Sequence, residues 1–558
     1  MLCRKEGRRS PLRIQQGPLS GLSHLHFLQI RRFQAGKLAD QHPFLLKFLL
    51  NPFSLSHIIT PLASHSPTTA RMADPHPLQQ WFTTEGVQLH PSLYLAEDPK
   101  TGLSFYTSSR LPKDTAVIKV PRKLCITSHS AFLRIEQLLK VIDEYEGVDP
   151  KEEKLPKSDW ILLYLVVCRL ALEYLSSHPG CEEEQKLREV LTHLPYVAHI
   201  PTTIETALHF SPSELNLLCQ TPLRGAADRR LNATICDYAS AIVQCPYPPY
   251  ESPTFAGFLR NTLEPITLRN TQSDQYFTHT YHRGLELWRW AESAFTSRSF
   301  PARLIGLDDN ETAPILIPAY DTFNHARAHP VTWTHIAGTG GEGGMVEMTL
   351  NYETTEGGVQ VWNNYGGKSN EEFLSGYGFV LDTTSEDTLA LQLGGEGMLG
   401  KTHYWRIPPA PSALSEQEKE GSGFKRAKCP CPSLLEELGE KVLKGDTPPT
   451  AEQEQLELYG EVLETLEGLL LTKRKAFRVS NSRIRNLDIN FVEHWPVHQP
   501  HEGWYREKYT RENGIRKHGW RMAMQYRKGQ LELMNHAVDW TRSELGRVAD
   551  ALDAFDED

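Results

Sequence analysis

The hydrophobic pattern changes along the chain, and each change predicts a different kind of structure. Between residues 86 and 127, short apolar runs alternate with polar positions and turn residues, as in the run AVIKV at 116–120. Pro112 and Pro121 stand at the ends of such runs, where a strand tolerates proline. Alternation with a period of two is typical of half-buried strands, so this segment predicts a small β unit.

Residues 129–300 follow a helical period instead. Leu138, Leu139 and Ile142 recur at helical spacing, and an apolar run covers residues 160–172. A membrane-spanning helix needs roughly 18 apolar residues, and this run is shorter and is interrupted by Arg169. It therefore predicts a buried core helix.

Strand-like runs return near Ile315, and a polar segment rich in Pro, Gly and Ser at 409–432 predicts a linker or long loop. Beyond it, apolar residues recur at intervals of three and four, namely Leu456, Tyr459, Leu463, Leu466 and Leu470. This stripe predicts an amphipathic helix that packs on a core. A second helix is predicted from Trp520 to Leu545.

Length and composition indicate a large globular protein. A chain of 558 residues is too long for one core and predicts about three to four units. Hydrophobic residues at 39% and charged residues at 23% exclude a mainly disordered or collagen-like chain. Nine cysteines are sparse in such a length, and we find no apolar signal core, so we expect a reducing compartment.

Charge is distributed unevenly between the first residues and the rest. The formal net charge is -10, but residues 1–71 contain ten Lys or Arg against only Glu6 and Asp40, which leaves -18 for the remainder. This acidic balance argues against nucleic acid as a partner. We expect residues 1–71 to be an upstream extension, a disordered tail or a targeting peptide, and we assign no chemistry to them.

Two short motifs that suggest binding sites lack the residues that such sites need. The GGKS run at 366–369 contains part of a phosphate-binding loop, but Trp362 occupies the position of the required first glycine. Cys429 and Cys431 have no second cysteine pair at metal-binding spacing, and no HExxH motif occurs. We therefore expect no metal site.

Polar residues embedded in strand-like and aromatic surroundings stand out between residues 314 and 381, in DTFNH at 321–325 and NNYGGKSNEEFLSGYGFVL from Asn363. Together with other blocks, they resemble the SET-domain protein methyltransferases of the Rubisco large-subunit methyltransferase-like branch. The resemblance covers about residues 80–545. Its blocks are 85–121, 191–223, 290–300, 315–333, 364–381 and, near the C-terminus, 526–538.

The resemblance implies a role for particular residues. It implies that Tyr365 is the catalytic tyrosine. The residues implied to bind the cofactor S-adenosylmethionine are Gly102, Leu103, Arg298, Asn324, His325, Tyr377 and Phe379. It also implies that the last two line a methyl-lysine pocket.

Three positions differ from the family pattern. Ser104 stands where a second glycine is usual, Glu356 is followed by two glycines where Gly-Glu-Glu is usual, and Gly367 replaces a proline. We expect these differences to affect cofactor affinity more than chemistry.

The chemistry explains why such a site contains aromatic residues. A lysine with an ordinary pKa of ~10.4 must lose a proton before it accepts a methyl group, which costs roughly 4 to 5 kcal/mol at neutral pH. A nearby sulfonium and an apolar aromatic channel both lower that pKa. We expect the Tyr365 hydroxyl to orient the amine, whereas a carboxylate in its place would stabilise the unreactive ammonium.

The resemblance implies an α+β fold in which a helical insert splits a β-rich SET core and an all-α C-terminal domain follows. The predicted parts are an N-terminal extension (1–71), the first part of the core (80–128), the insert (129–290), the second part of the core with the cofactor and lysine sites (291–382), and a helical substrate-binding domain (383–558) with a flexible loop at 409–432.

The function implied is S-adenosylmethionine-dependent methylation of lysine in a non-histone protein such as a ribosomal or other lysine-rich protein. Two alternatives remain open: a histidine methyltransferase of the same fold, and a catalytically silent binding protein. We expect a monomer in the cytoplasm or nucleus, with a protein substrate that presents a lysine and with neither nucleic acid nor membrane as a partner.

Overall fold

The computed structural model describes residues 76–99, 101–142, 155–244, 254–263, 283–327, 329–338, 343–394, 400–408, 426–489, 491–492 and 514–557. Contacts separate Met1–Ala73 from Asp74–Asp558, and all the described residues belong to the second of these units. The predicted N-terminal extension at 1–71 lies outside the described residues.

Short strands from both ends of the first four hundred residues form the β part of the molecule. They are β1 (Gln88–Leu89), β2 (Leu93–Asp98), β3 (Gly102–Thr107), β4 (Thr115–Pro121), β5 (Ser299–Phe300), β6 (Ile315–Leu316), β7 (Val331–Ile336), β8 (Met345–Leu350) and β9 (Val359–Gln360). One antiparallel sheet has the order β1-β4-β8-β7, a second has the order β2-β3-β9, and β5 pairs with β6.

Strands that precede the helical segment pair directly with strands that follow it. β4 pairs antiparallel with β8 from Thr115–Leu350 to Pro121–Met345, and β3 pairs with β9. A register shift in β4 between Ala116 and Ile118 interrupts the alternation, as a β-bulge does. The predicted split of the β-rich core is therefore present.

Helices fill the segment between the two groups of strands and dominate the C-terminal region. They are α1 (Pro77–Thr84), α2 (Ser128–Ile142), α3 (Lys157–Ser177), α4 (Glu184–Val190), α5 (Leu194–His199), α6 (Pro212–Asn216), α7 (Pro222–Gln244), α8 (Phe255–Leu263), α9 (Arg283–Arg298), α10 (Asn370–Gly376), α11 (Pro432–Leu443), α12 (Glu452–Arg485) and α13 (Lys517–Glu557). The α+β fold class is confirmed.

Helix α3 forms the centre of the insert. By length and composition it could cross a bilayer, but most of it is buried inside the protein. Its apolar residues surround the helix rather than forming one stripe, and they pack on α2, α5 and α9. The prediction of a buried core helix is confirmed.

The C-terminal region is mainly helical, but it also contains strands. The residues of the predicted stripe from Leu456 to Leu470 are buried in α12, which packs along α13. In addition, β10 (Thr388–Gln392) and β11 (Thr402–Arg406) form an antiparallel hairpin, and Phe491–Val492 pairs with Ile515–Arg516. The expected all-α domain is corrected to this extent: Leu389 and Trp405 of the hairpin contribute to the same core as the helices.

Contacts do not divide the unit that begins at Asp74, so the boundaries predicted within it stay predictions. Residues 409–425 of the predicted loop lie outside the described residues. The last residue of that loop, Pro432, already begins helix α11.

Candidate functional site

Two distant segments of the second half of the core cross beside each other. The backbone N–H of Asn363 donates to the carbonyl of Asn324 at 2.8 Å, and that of Ala326 donates to the carbonyl of Asn363 at 3.0 Å. The N–H of Tyr365 donates to His325 Nδ1 at 3.0 Å. This crossing places the Asn-His pair directly next to Tyr365, as the resemblance implies.

The Tyr365 side chain is fixed at both its hydroxyl and its ring. Its hydroxyl donates to the carbonyl oxygen of Phe323 at 2.9 Å. Its ring stacks on Tyr377 with 5.2 Å between ring centroids and on His325 with 5.1 Å. Burial raises the pKa of Tyr365 above its ordinary value, so the hydroxyl keeps its proton at neutral pH.

A capped helix positions the other predicted aromatic residues. The Ser369 side chain accepts from the Glu372 N–H and the Glu372 side chain accepts from the Ser369 N–H, so a capping box begins α10. The helix ends at Gly376, which places Tyr377 and then Phe379 beside the stacked rings; Tyr377 and Phe379 lie 6.1 Å apart.

Gly378 allows this turn to approach the helical insert closely. Its φ is +78°, and a Cβ at this position would lie 2.8 Å from the backbone carbon of Glu205. Only glycine fits such a contact without displacement of backbone. The insert therefore forms part of the wall around Tyr377 and Phe379.

The first half of the core supplies the turn that contains Gly102. Gly102 has a φ of +73°, and the Asn324 side-chain amide donates to the carbonyl of the neighbouring Thr101 at 3.1 Å. Ser104 is fully buried, and its hydroxyl accepts from the Asn324 N–H at 3.4 Å. The serine that departs from the family pattern thus contacts Asn324 and is not exposed at the turn.

Two cavities meet at the aromatic cluster. One, of about 320 Å³, is bordered by the Gly102 turn and the insert; the other, of about 690 Å³, extends between α7, α9 and α10. They share the wall residues Ser297, Arg298, Asp321, Tyr365 and Tyr377.

The smaller cavity brings together nearly all the predicted site residues. Its lining includes Gly102, Leu103, Arg298, Asn324, Tyr365, Tyr377 and Phe379. His325 does not line it; this side chain packs behind Tyr365, against Phe373. Burial lowers the pKa of His325 to about 4, so the imidazole is neutral at physiological pH.

The shared wall contains a buried carboxyl group that the sequence did not single out. Asp321 Oδ2 accepts from the Tyr196 hydroxyl at 2.7 Å and lies 3.5 Å from Arg298 Nε, while Oδ1 is buried without a partner among the described residues. Burial raises the pKa of Asp321 to about 6 and outweighs the opposite effect of Arg298. The charge of Arg298 compensates the ionised carboxylate.

Tyr196 was also missed, and no sequence signal could have found it. It belongs to helix α5 of the insert and reaches Asp321 across 125 residues of sequence. Asp321 itself lies three residues before Asn324, where an isolated acidic residue cannot be told from a turn residue.

Among the described residues, no group of three or more His, Cys, Asp or Glu side chains is arranged to hold a metal ion. Ion pairs in the site, such as Arg298 with Asp321, are instead completed within the protein.

Comparisons with known proteins identify relatives of one kind. No protein-family model matches the chain. The chain is 26% identical over 314 residues to ribosomal lysine N-methyltransferase set10 of Schizosaccharomyces pombe, which covers 55% of this chain and 46% of that protein. It is also 26% identical over 207 residues to ribosomal lysine N-methyltransferase 1 of Saccharomyces cerevisiae, which covers 36% of this chain and 34% of that protein. The matches thus span less than half the length of either relative.

Solved structures superpose on the chain at low identity. The SET domain of LSMT bound to lysine and AdoHcy gives a TM-score of 0.49 at 15% identity and covers 85% of this chain and 92% of its own. Rubisco LSMT bound to AdoMet gives 0.48 at 15% identity, with the same two coverages. TM-scores this low do not establish a shared topology, so the fold rests on the strands and helices described above. The resemblance predicted from the sequence is nevertheless confirmed by the relatives: the chain is similar, over about half its length, to the ribosomal lysine N-methyltransferases.

Proposed function

We propose that this protein is an S-adenosylmethionine-dependent protein-lysine N-methyltransferase whose client is a ribosomal protein. The observation that carries the proposal is the meeting of two cavities at Tyr365 and Tyr377. A transferase needs one site for the donor and one for the acceptor, with a narrow contact between them. Two yeast proteins named as ribosomal lysine N-methyltransferases support this choice of client.

The smaller cavity has the chemistry that the donor requires. Arg298 offers a cation to a carboxylate, Asn324 and the Gly102 turn offer backbone groups to polar atoms, and Phe379 offers an aromatic face. When bound, S-adenosylmethionine supplies a methyl group on a sulfonium, and its sulfur takes the electron pair of the broken bond. We assign Gly102, Leu103, Arg298, Asn324, Tyr377 and Phe379 to this cofactor, with His325 in support behind Tyr365.

The shared wall prepares the acceptor amine. The stacked rings of Tyr365 and Tyr377 exclude water and so disfavour the charged ammonium, which lowers the pKa of an incoming lysine. The Tyr365 oxygen, held by Phe323, then accepts or shares a hydrogen bond that orients the amine. The larger cavity leads to this point and would hold the lysine-bearing segment.

Asp321 does not oppose this chemistry as an isolated carboxylate would. Its charge is paired with Arg298 and it accepts from the Tyr196 hydroxyl. We assign it a positioning role: it fixes Arg298 at the boundary of the two cavities.

The silent-scaffold alternative loses its main support in the structure. Ser104 is buried under Asn324 and does not narrow the cavity. Gly357 lies where a Cβ would be 2.3 Å from the Ser108 oxygen, and Gly358 has a φ of +79°. The unusual turn therefore serves close packing between β3 and β9, and does not remove a group from the site.

Transfer of label tests the proposal and separates the alternatives. The full chain is incubated with methyl-labelled S-adenosylmethionine and ribosomes from cells that lack this gene, and labelled peptides are sequenced by mass spectrometry. Methyl-lysine in a ribosomal protein is expected. Methyl-histidine would assign the second acceptor chemistry, and no label in any protein would support a silent scaffold.

Asp321 makes the activity steeply dependent on pH in the acidic range. Because lysine must be deprotonated, kcat/KM should rise about tenfold per pH unit. Below about pH 6, Asp321 gains a proton and no longer balances Arg298, so a second tenfold loss per unit is expected. Profiles from pH 5 to 8 should show this steepening in the wild type but a single slope in Asp321→Asn, measured on its residual activity. A wild-type profile of constant slope down to pH 5 would refute the role.

The protein substrate that we propose presents a lysine, and we expect the protein in the cytoplasm or nucleus, where ribosomal proteins are made and assembled. The expected monomeric state stays a prediction.

A further inference from the structure

The strongest feature that the proposed reaction does not use is a concentration of positive charge on the last two long helices. Between Thr472 and Leu487, α12 and its end contain six Lys or Arg and no acidic residue; between Gly514 and Leu531, the chain contains five Lys or Arg and no acidic residue. The chain beyond residue 71 is otherwise strongly acidic, so this region is exceptional within it.

Three of these cations are used inside the protein. Arg516 pairs with Glu214, and Arg527 donates to Asn481 at 2.6 Å. Lys473 is partly buried near Glu371. The others are at the surface, so their charges are available to solvent or to a partner.

Six of the surface cations form two rows. On α12, Arg474, Arg478 and Arg485 are separated by four and seven residues; on α13, Lys517, Arg521 and Lys528 have the same two spacings. Residues four and seven apart lie on one side of an α-helix. All six are exposed except Arg474, which is half-exposed. We refer to these six residues as the basic face.

Side-chain contacts show that the two rows adjoin. Arg474 Nη1 and Arg478 Nη2 both lie 3.4 Å from Asn535 Oδ1. Asn535 is seven residues beyond Lys528 and so continues the row on α13. The helices run antiparallel, because Arg527 contacts Asn481 whereas Asn535 contacts the earlier Arg474. Each row extends over about 16 Å, with the helix axes roughly 8–10 Å apart.

We propose that the basic face binds the phosphate backbone of RNA. Two parallel rows of cations suit a regular polyanion, because a nucleic-acid duplex carries about one negative charge per 1.7 Å of axis. Within the described residues, the carboxylate nearest these cations is Glu532, 3.8 Å from Lys528. Protein interfaces rely on apolar anchors, and the exposed large side chains nearby, Val479 and Leu487, project from other sides of α12.

The choice of RNA rather than DNA rests on the proposed function, since a ribosomal client would present RNA beside its protein. The charge and geometry of the face do not depend on that function. The whole-chain net charge, which argued against a nucleic-acid partner, sums over an acidic majority and so conceals this region.

Binding of a labelled RNA hairpin to the full chain without cofactor tests the proposal, with fluorescence anisotropy measured between 50 and 200 mM KCl. The test variant combines Arg478→Gln, Arg485→Gln and Arg521→Gln. It should bind about 50-fold more weakly near 0.15 M salt, with a salt slope smaller by about 2, as expected for three lost phosphate contacts.

A matched control removes three cations elsewhere: Lys140→Gln, Arg188→Gln and Lys441→Gln, each from an exposed pair four residues from a glutamate. It should bind RNA as the wild type does. Equal RNA affinity of the two triple variants would overturn the proposal, as would competition by polyglutamate as strong as that by RNA of equal charge. Methylation of a short lysine peptide by the test variant is measured in parallel, so that failure of RNA binding and failure of the proposed reaction are distinguished.

Discussion

Replacing Tyr365 by phenylalanine is expected to lower kcat for lysine methylation by about 10² to 10⁴, while the affinity for S-adenosylmethionine changes little. The ring would still stack on Tyr377 and His325, so the wall between the two cavities would remain. Only the hydroxyl, which is fixed 2.9 Å from the Phe323 oxygen, is lost. Single-turnover rates and calorimetric titration of the cofactor measure the two quantities separately.

Tyr352 provides the matched control. Its hydroxyl also donates to a backbone carbonyl, that of Trp362 at 2.9 Å, and it lines neither of the two cavities at Tyr365. Tyr352→Phe should therefore leave kcat within a few-fold of the wild type. If both variants lost activity equally, the effect would be structural and the role assigned to Tyr365 would be wrong.

Replacing Arg516 by methionine is expected to cause the largest loss of stability, about 3 to 5 kcal/mol, because a buried ion pair would leave an uncompensated charge. Arg516 Nε and Nη2 each lie 2.8 Å from an oxygen of Glu214, and Nη1 contacts Glu205. The Arg516 and Glu214 side chains are 4% and 0% exposed. Urea denaturation should show a clearly lower midpoint.

The same substitution should also weaken cofactor binding. Glu205 lines the smaller cavity and its backbone packs against Gly378, so Arg516 connects the C-terminal region to the wall of the site. Arg303→Met is the control, since Arg303 forms an exposed pair with Asp309 and its loss should not measurably shift the midpoint. An Arg516 variant as stable as the wild type would show that Glu205 and Glu214 find other partners.

Elements with a long regular pattern could be predicted from the sequence. The stripe from Leu456 to Leu470 is one side of α12, and the apolar run at 160–172 is the buried helix α3. The hairpin of β10 and β11 was missed because two five-residue strands carry too few positions to distinguish alternation from chance. Their burial against α12 and α13 is a tertiary effect that no local period records.

The site residues were predictable where the resemblance supplied both residue and spacing, as for Tyr365, Asn324 and Arg298. Asp321 and Tyr196 were not predicted as members of the site, because their hydrogen bond depends on how the insert folds back on the core. The basic face was also missed, since a sum over the chain cannot reveal where charges collect on paired helices.

A bisubstrate ligand tests most directly whether the two cavities form one transferase site. In this ligand, the side-chain nitrogen of a lysine peptide is joined through a short linker to the adenosyl group of the cofactor. Because the second contact becomes intramolecular, it should bind at least about 100-fold more tightly than the peptide or S-adenosylhomocysteine alone, as measured by calorimetry. A bisubstrate that binds no more tightly than its stronger half would contradict the proposed meeting of donor and acceptor at Tyr365.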